Sequence, residues 1–126
     1  MFGSHRVFAT IPATDMARAK RWYQEKLGVT PISEMPAGAL YEMGGGTAFL
    51  LYPTAFAGKA PNTLMGIESN DVEGDVAAMK KNGVVFEEYD TPDLKTVNSI
   101  ARFGEMKGAW FRDSEGNILS IASPPD

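Results

Sequence analysis

The stretch TLMGIESNDVEGDVAAMKKNG, residues 63 to 83, decides the fold because it repeats a pattern that the chain has already shown near its start. It indicates a strand, an acidic helix cap, a helix whose apolar residues recur every three or four positions, and a closing glycine. Residues 6 to 28 follow the same order, with Asp15 in the place of Asp71. The chain is therefore predicted to be a duplication of one structural unit.

Each copy of the unit continues with three strand candidates. In the first copy they are TPISEM (30–35), ALYEM (39–43) and TAFLLY (47–52), the last two joined by three glycines. In the second copy they are VVFEEY (84–89), KGAWFR (107–112) and NILSIA (117–122), and the composition of 90–105 is typical of a loop. The pattern predicts an α+β fold of two βαβββ modules, about 6–52 and 63–123, joined by a Pro, Gly and Ala-rich connector over 53–62.

Composition indicates one globular domain spanning residues 1–126, a length that buries a core without disulfides. A net charge of −4 and the absence of a basic cluster argue against a nucleic-acid partner. The sequence has no cysteine, which excludes disulfides, thiolate nucleophiles and sulfur-ligated metals. No apolar run approaches the roughly 20 residues of a membrane helix. We therefore expect a cytoplasmic protein without a membrane partner.

Two motifs resemble a known family. The first helix ends in RWYQEKLGV (21–29), and the last strand follows an acidic-Gly-Asn turn in WFRDSEGNILSI (110–121). With the duplicated βαβββ order, they resemble the vicinal oxygen chelate superfamily, the glyoxalase, bleomycin-resistance and extradiol-dioxygenase group. Relatives tend to carry Asp-Pro-Asp-Gly-Asn at this turn, where this chain has Ser114 and Glu115 instead of Pro and the second Asp. The resemblance implies that the modules form a curved eight-stranded sheet cup, with helices outside and ligand inside.

Metal-dependent members of that family hold a divalent ion with His and Glu or Gln from the first and last strands of each half. The resemblance puts these positions at Phe8, Leu64, Ser120 and one residue of 47–53, a segment without Asp, Glu, His or Gln. Divalent cations of this kind require carboxylate or imidazole donors. The sequence therefore predicts no metal ion, and it indicates no other cofactor.

The sequence offers few catalytic groups. His5 is the only histidine, and strand alternation directs it to the face opposite Phe8, so a Ser-His triad has no base. A carboxylate base remains open, because Glu68 shares its face with Leu64 and could lie at the rim of the cup. The alternative for Glu68 is a solvated glutamate at a strand end.

Aromatic and hydroxyl side chains on the strands indicate what the cup binds. A concavity lined by aromatic rings and a few hydroxyls suits planar or apolar small molecules. We expect the ligand pocket to be lined by Phe8, Thr10, Tyr41, Phe49, Tyr52, Leu64, Trp110 and Ser120.

Two functions are consistent with these features. The first is a metal-independent protein that binds a small hydrophobic or aromatic molecule without transforming it, as bleomycin-resistance proteins do. The resemblance also implies a homodimer. The alternative is an enzyme, a lyase, isomerase or dioxygenase, that uses a non-standard metal site or a carboxylate base such as Glu68. The sequence leaves open the ligand and whether the modules pair within one chain or between two.

Overall fold

The computed structural model describes residues 1–125 and contains two copies of the unit. The first comprises β1 (Ala9–Ala13), α1 (Met16–Trp22) with a π-helical turn (Tyr23–Leu27), β2 (Ser33–Met35), β3 (Gly38–Glu42) and β4 (Ala48–Pro53). The second comprises β5 (Thr63–Glu68), α2 (Val72–Lys81), β6 (Ala101–Phe103), β7 (Met106–Arg112) and β8 (Ile118–Ala122). Over the described residues, neither helix is long and apolar enough to cross a lipid bilayer.

The strands form two four-stranded sheets with the same topology. Their orders are β1-β4-β3-β2 and β5-β8-β7-β6, and in each sheet the first strand is parallel to the last strand of its unit. This confirms the α+β class and the duplicated βαβββ order. As the resemblance implies, each half contributes one four-stranded sheet, and the two sheets meet where β1 lies beside β5.

The helix boundaries follow the predicted caps. The side chain of Asp15 accepts a hydrogen bond from the backbone N–H of Arg18, and Asp71 accepts one from Gly74 in the same way. These bonds satisfy donors that the first helical turn leaves free. Gly28 closes the first helical segment at a φ of 70°, a conformation that glycine adopts without a steric cost.

One predicted strand is wrong. Residues 84–89 do not form a ladder; Phe86 makes an isolated bridge to Phe111 and its ring is buried. The reason is that β6 occupies the edge of β7 from Met106 to Gly108, so residues 84–89 reach that edge only at Trp110 and Phe111. The strand β6 lies inside 90–105, which was expected to be a loop. The alternation of apolar residues over 84–89 therefore reflects a segment packed on the core rather than a sheet strand.

The two sheet faces that lie under the helices together form a single hydrophobic core. In the first sheet the register places Ile11 beside Leu51, and Ala9 beside Phe49 and then Tyr41. Tyr41 and Phe49 stack at 4.6 Å with their planes 3° apart. Tyr41 is fully buried on this core face, so its predicted place in a ligand pocket is wrong, because the strand register turns it toward the helices.

The hydroxyl of Tyr41 is buried and, within residues 1–125, has no hydrogen-bond partner. A buried polar group without a partner costs stability. We expect Tyr41→Phe to raise the free energy of unfolding by about 1 kcal/mol, since the ring stack is kept and the desolvated hydroxyl is removed. Urea denaturation of the two proteins measures this change. A lower midpoint for the variant would show that the hydroxyl contributes to stability in the native protein.

The turn between β7 and β8 joins the two halves of the chain through Glu115. Its buried carboxylate accepts hydrogen bonds from the backbone N–H groups of Thr14 and Asp15, both at 2.9 Å. It also accepts two bonds from the guanidinium of Arg18 and one from Ser114. Burial alone would raise the pKa of Glu115, but these donors outweigh burial and lower the pKa to about 2.

Asp113 and Asn117 complete this contact, which we call the inter-half clamp (Asp113, Glu115 and Asn117). The amide nitrogen of Asn117 donates to the carbonyl of Pro12 at 2.7 Å and to Asp113 at 2.9 Å. The hydroxyl of Tyr23 donates to Asp113 at 2.7 Å, and burial and this carboxylate raise the pKa of the tyrosine. The clamp therefore fixes the start of the first helix to the last hairpin of the chain.

Candidate functional site

The sheet faces that point away from the helices form the open face of the molecule. On the first sheet, Thr10 of β1 pairs with Leu50 of β4 and then Leu40 of β3. The equivalent row of the second sheet is Gly66, Ser120 and Trp110. Ser120 therefore lies on the open face, in the middle of a strand and beside an aromatic ring.

A cleft of about 850 Å³ opens at the seam where β1 meets β5. This volume lies within the range of small-molecule sites in proteins. The cleft, called the seam cleft below, is bordered by the start of β1, the turn between β3 and β4, and most of β5. Its lining consists of Val7, Phe8, Ala9, Met43, Gly44, Gly45, Thr47, Ala48, Phe49, Leu64, Met65, Gly66, Ile67, Glu68 and Asn70.

The predicted pocket residues separate into three groups. Three of them border the seam cleft: Phe8, Phe49 and Leu64. Four lie on the open face outside the cleft lining: Thr10, Tyr52, Trp110 and Ser120. The third group is Tyr41 alone, which is buried in the core. Phe49 is itself buried, so it contributes the floor of the cleft rather than an exposed ring.

The surroundings of Ser120 show how the second sheet exposes it. A Cβ atom added to Gly66 would lie 3.1 Å from the hydroxyl oxygen of Ser120. Glycine at this position therefore leaves the hydroxyl accessible from the seam. The ring of Trp110 is half-buried and meets Tyr89 edge to face, with centroids 5.6 Å apart. The strand register places Trp110 on the open face, beside Ser120.

The positions that hold a metal ion in other members are now fixed by the register. The uncertain fourth position is Leu50, since it pairs with Thr10 as Ser120 pairs with Gly66. Phe8, Leu50 and Leu64 supply no donor atom, and a neutral serine is a poor ligand for a divalent cation. Within residues 1–125, no three His, Cys, Asp or Glu side chains converge to hold an ion. This set of residues does not fit the family's metal.

The charged residues considered from the sequence occupy different places. Glu68 is exposed at the end of β5 and borders the seam cleft. His5 is exposed and packs against Phe2, outside the cleft lining. Arg102 of β6 and Lys107 of β7 both pair with Glu73 at the start of α2, at 2.9 and 2.8 Å. These two cations therefore hold the β6–β7 hairpin against the helix.

Several cleft residues were not identified from the sequence. Met43, Thr47 and Asn70 border the cleft, but they lie in turns whose shape the strand pattern does not specify. The glycine triplet Gly44–Gly46 was the available signal. It forms a 3₁₀ turn in which Gly45 and Gly46 have positive φ, and it was interpreted only as a hairpin connection.

Sequence comparison gives one family match. The model of the Glyoxalase/Bleomycin resistance protein/Dioxygenase superfamily matches residues 5–121. No curated protein matches the chain at a significant level.

Solved structures share the fold across the whole chain. TnmS3, an antibiotic binding protein from Streptomyces sp. CB03234, is 22% identical with a TM-score of 0.64, and 99% of each chain is covered. A glyoxalase/bleomycin resistance protein/dioxygenase from Alicyclobacillus acidocaldarius is 18% identical with a TM-score of 0.72, covering 98% of this chain and 93% of the other. The fosfomycin resistance protein FosX from Listeria monocytogenes is 13% identical with a TM-score of 0.68, covering 97% and 94%. At these identities the likeness concerns the fold alone.

Proposed function

The chain belongs to the Glyoxalase/Bleomycin resistance protein/Dioxygenase superfamily, and from that membership we propose that it binds a small, largely apolar molecule in the seam cleft without a metal ion. The proposal rests on the side chains at the four positions where metal-dependent members of the family hold the ion. Three of the four positions that would hold the ion are apolar: Phe8 and Leu64 line the cleft, and Leu50 lies on the open face as the partner of Thr10. Apolar side chains at these positions favour contact with ligand carbon atoms over coordination.

The character of the cleft supports an apolar ligand with few polar groups. Val7, Phe8, Leu64 and Met65 contribute apolar side chains, and Phe8 remains 56% exposed although its side chain is large and apolar. Covering such surface with a ligand is favourable by about 25 cal/mol per Å² of apolar area removed from water. TnmS3, which shares the fold, is described as antibiotic binding, and this agrees with a sequestering role.

We expect the purified protein to contain no stoichiometric Fe, Mn, Ni or Zn, and to be stabilised thermally by at least one aromatic antibiotic. Ligand binding to the native state raises the melting temperature, and a hundredfold excess over the Kd contributes about 2.7 kcal/mol. Metal analysis after dialysis tests for bound metal, and a thermal-shift screen tests for stabilisation by a ligand. Stoichiometric metal that survives dialysis would contradict the expected metal-free protein. A screen in which no compound stabilises the protein would leave ligand binding unsupported.

Two matched variants test whether a compound binds in the seam cleft. Ala48→Trp fills the cleft from its lining, whereas Ala37→Trp adds the same side chain to an exposed turn outside it. The stabilisation by a compound found in the screen should be lost in the first variant and kept in the second. If both variants keep it, the compound binds elsewhere on the molecule.

A further inference from the structure

The seam cleft has a structural counterpart in the other half of the molecule. The turn between β3 and β4 corresponds to the turn between β7 and β8, since both close on a backbone bond from their first to their fifth residue, Met43 to Thr47 and Asp113 to Asn117. The strand registers agree, because Phe49 pairs with Ala9 as Leu119 pairs with Met65. Each turn faces the end of the first strand of the other half.

In the second half this place is filled by the clamp. Glu115 covers the backbone N–H groups that precede α1, and the amide nitrogen of Asn117 donates to the carbonyl of Pro12 at the end of β1. The connector also contacts the clamp, because the backbone N–H of Gly58 donates to the side chain of Asn117 at 3.1 Å. Protein groups therefore occupy the whole counterpart position.

In the first half the turn at the same place consists of glycines, so it contributes no side chain of its own. The residue equivalent to Glu115 is Gly45, and a Cβ atom added to Gly44 or Gly45 would meet no atom within 4 Å. The residue equivalent to Pro12, at the end of the facing strand, is Glu68, and it borders the cleft. In the clamp the donor meets the backbone carbonyl of Pro12, whereas in the seam cleft the equivalent residue, Glu68, carries a side-chain carboxylate.

The charge around this position favours a cation. Glu68 is the one ionisable residue in the cleft lining, and within residues 1–125 it makes no ion pair. Arg6, next to the cleft residue Val7, donates instead to the carbonyl of Gly46. The first turn of α2, which starts just beyond Asn70, adds the carboxylate of Asp75, whereas Glu73 is already paired with Arg102 and Lys107. An anionic ligand group would therefore be repelled, and a cationic one attracted.

We infer that the ligand of the seam cleft carries a protonated amine that pairs with Glu68 while its apolar part lies against Phe8 and Leu64. The inference rests on the proposed function and names the chemical class of its ligand: a flat apolar molecule with one basic nitrogen. The ammonium lies beside the residue that corresponds to Pro12, whose backbone carbonyl accepts a hydrogen bond from Asn117 in the clamp. The carboxylate of Glu68 is the acceptor, and the apolar wall supplies the remaining contact.

The test uses two probes that differ only in charge, 1-naphthylmethylamine, protonated at pH 7, and 1-naphthalenemethanol. Two-dimensional ¹H–¹⁵N NMR titrations report both the Kd and the residues that contact each probe. A charge-assisted hydrogen bond in a half-open site is worth about 1 kcal/mol or more, so the amine should bind at least about fivefold more tightly than the alcohol. This preference should fall to about onefold in Glu68→Gln and persist in Glu42→Gln, an exposed carboxylate on β3 outside the cleft lining.

The outcomes separate the inference from the proposed function. Equal affinities of amine and alcohol, with shifts at Phe8 and Leu64 for both, would overturn the inference and leave apolar binding in place. A preference that survives Glu68→Gln would overturn the role of that residue. The absence of shifts at the cleft for either probe would overturn both the inference and the proposed site.

Discussion

Glu115→Gln should lower the free energy of unfolding by about 3 kcal/mol at pH 7, which corresponds to roughly 10 °C in Tm for a chain of this size. The carboxylate accepts from two backbone N–H groups, one hydroxyl and the guanidinium of Arg18. An amide of the same size turns an NH₂ group toward donors that then lack an acceptor. The loss is large because the side chain is buried and the groups it serves belong to the other half of the chain.

The effect of Glu115→Gln depends on pH with a defined sign. Because the pKa is near 4.5 in the unfolded chain and about 2 in the native protein, the native carboxylate stabilises fully above about pH 4.5. That contribution is lost as the pH falls from about 4.5 to 2, so the difference between the two proteins should shrink over this range.

Urea denaturation at pH 7, 4 and 2.5 measures the pH dependence for Glu115→Gln. Glu34→Gln, which breaks an exposed ion pair with Lys20, serves as the control, with an expected change below about 0.5 kcal/mol. A constant difference between Glu115→Gln and the native protein from pH 7 to 2.5 would exclude the charge of Glu115 as the stabilising feature.

Asn117→Asp should be the second strongly destabilising change, with a loss of about 3 kcal/mol at pH 7 although the side chain keeps its size. Asn117 is 1% exposed, and its amide nitrogen lies 2.9 Å from a carboxylate oxygen of Asp113. A carboxylate in its place would set two buried anions against each other and remove the donor to Pro12.

The loss should be smaller near pH 4, because the repulsion raises the pKa of the introduced carboxyl and protonation relieves it. Asn62→Asp, an exposed change of the same kind in the connector, is the control and should alter stability by less than about 0.5 kcal/mol. Thermal unfolding by circular dichroism at both pH values follows the two variants. A pH-independent loss in Asn117→Asp would point to the missing donor alone.

The fold could be predicted because the βαβββ pattern occurs twice in the sequence. Asp15 and Asp71 cap their helices as expected, and the family inferred from 21–29 and 110–121 is confirmed by the match over 5–121. The error over 84–89 arose because alternation records which residues face the core, and it does not record which strands have a free edge. That information depends on β6, which lies further along the chain and pairs with Met106–Gly108 of β7, so that only Trp110 and Phe111 remain for the segment to contact.

The candidate site was predictable only in part. Strand alternation directed Ser120 to the face on which the register places it, whereas the positions of the metal ligands were inferred only from the resemblance to the family. It failed for Tyr41, whose strand is one residue out of the assumed phase. The cleft itself depends on Met43, Thr47 and Asn70, which lie in turns and have no periodic signal. The homodimer and the cytoplasmic location stay predictions.

The clamp also has a consequence for how the chain reaches its native state. Its bonds join residues that lie about one hundred positions apart, so the first helix gains its anchor only when the last hairpin has formed. Contacts of such long range slow folding, because the loop must close before the contact contributes energy. During synthesis, the first unit would leave the ribosome without the partner that fixes the start of its helix. The two units arose as copies of one pattern, but they are expected to fold together as a single cooperative body.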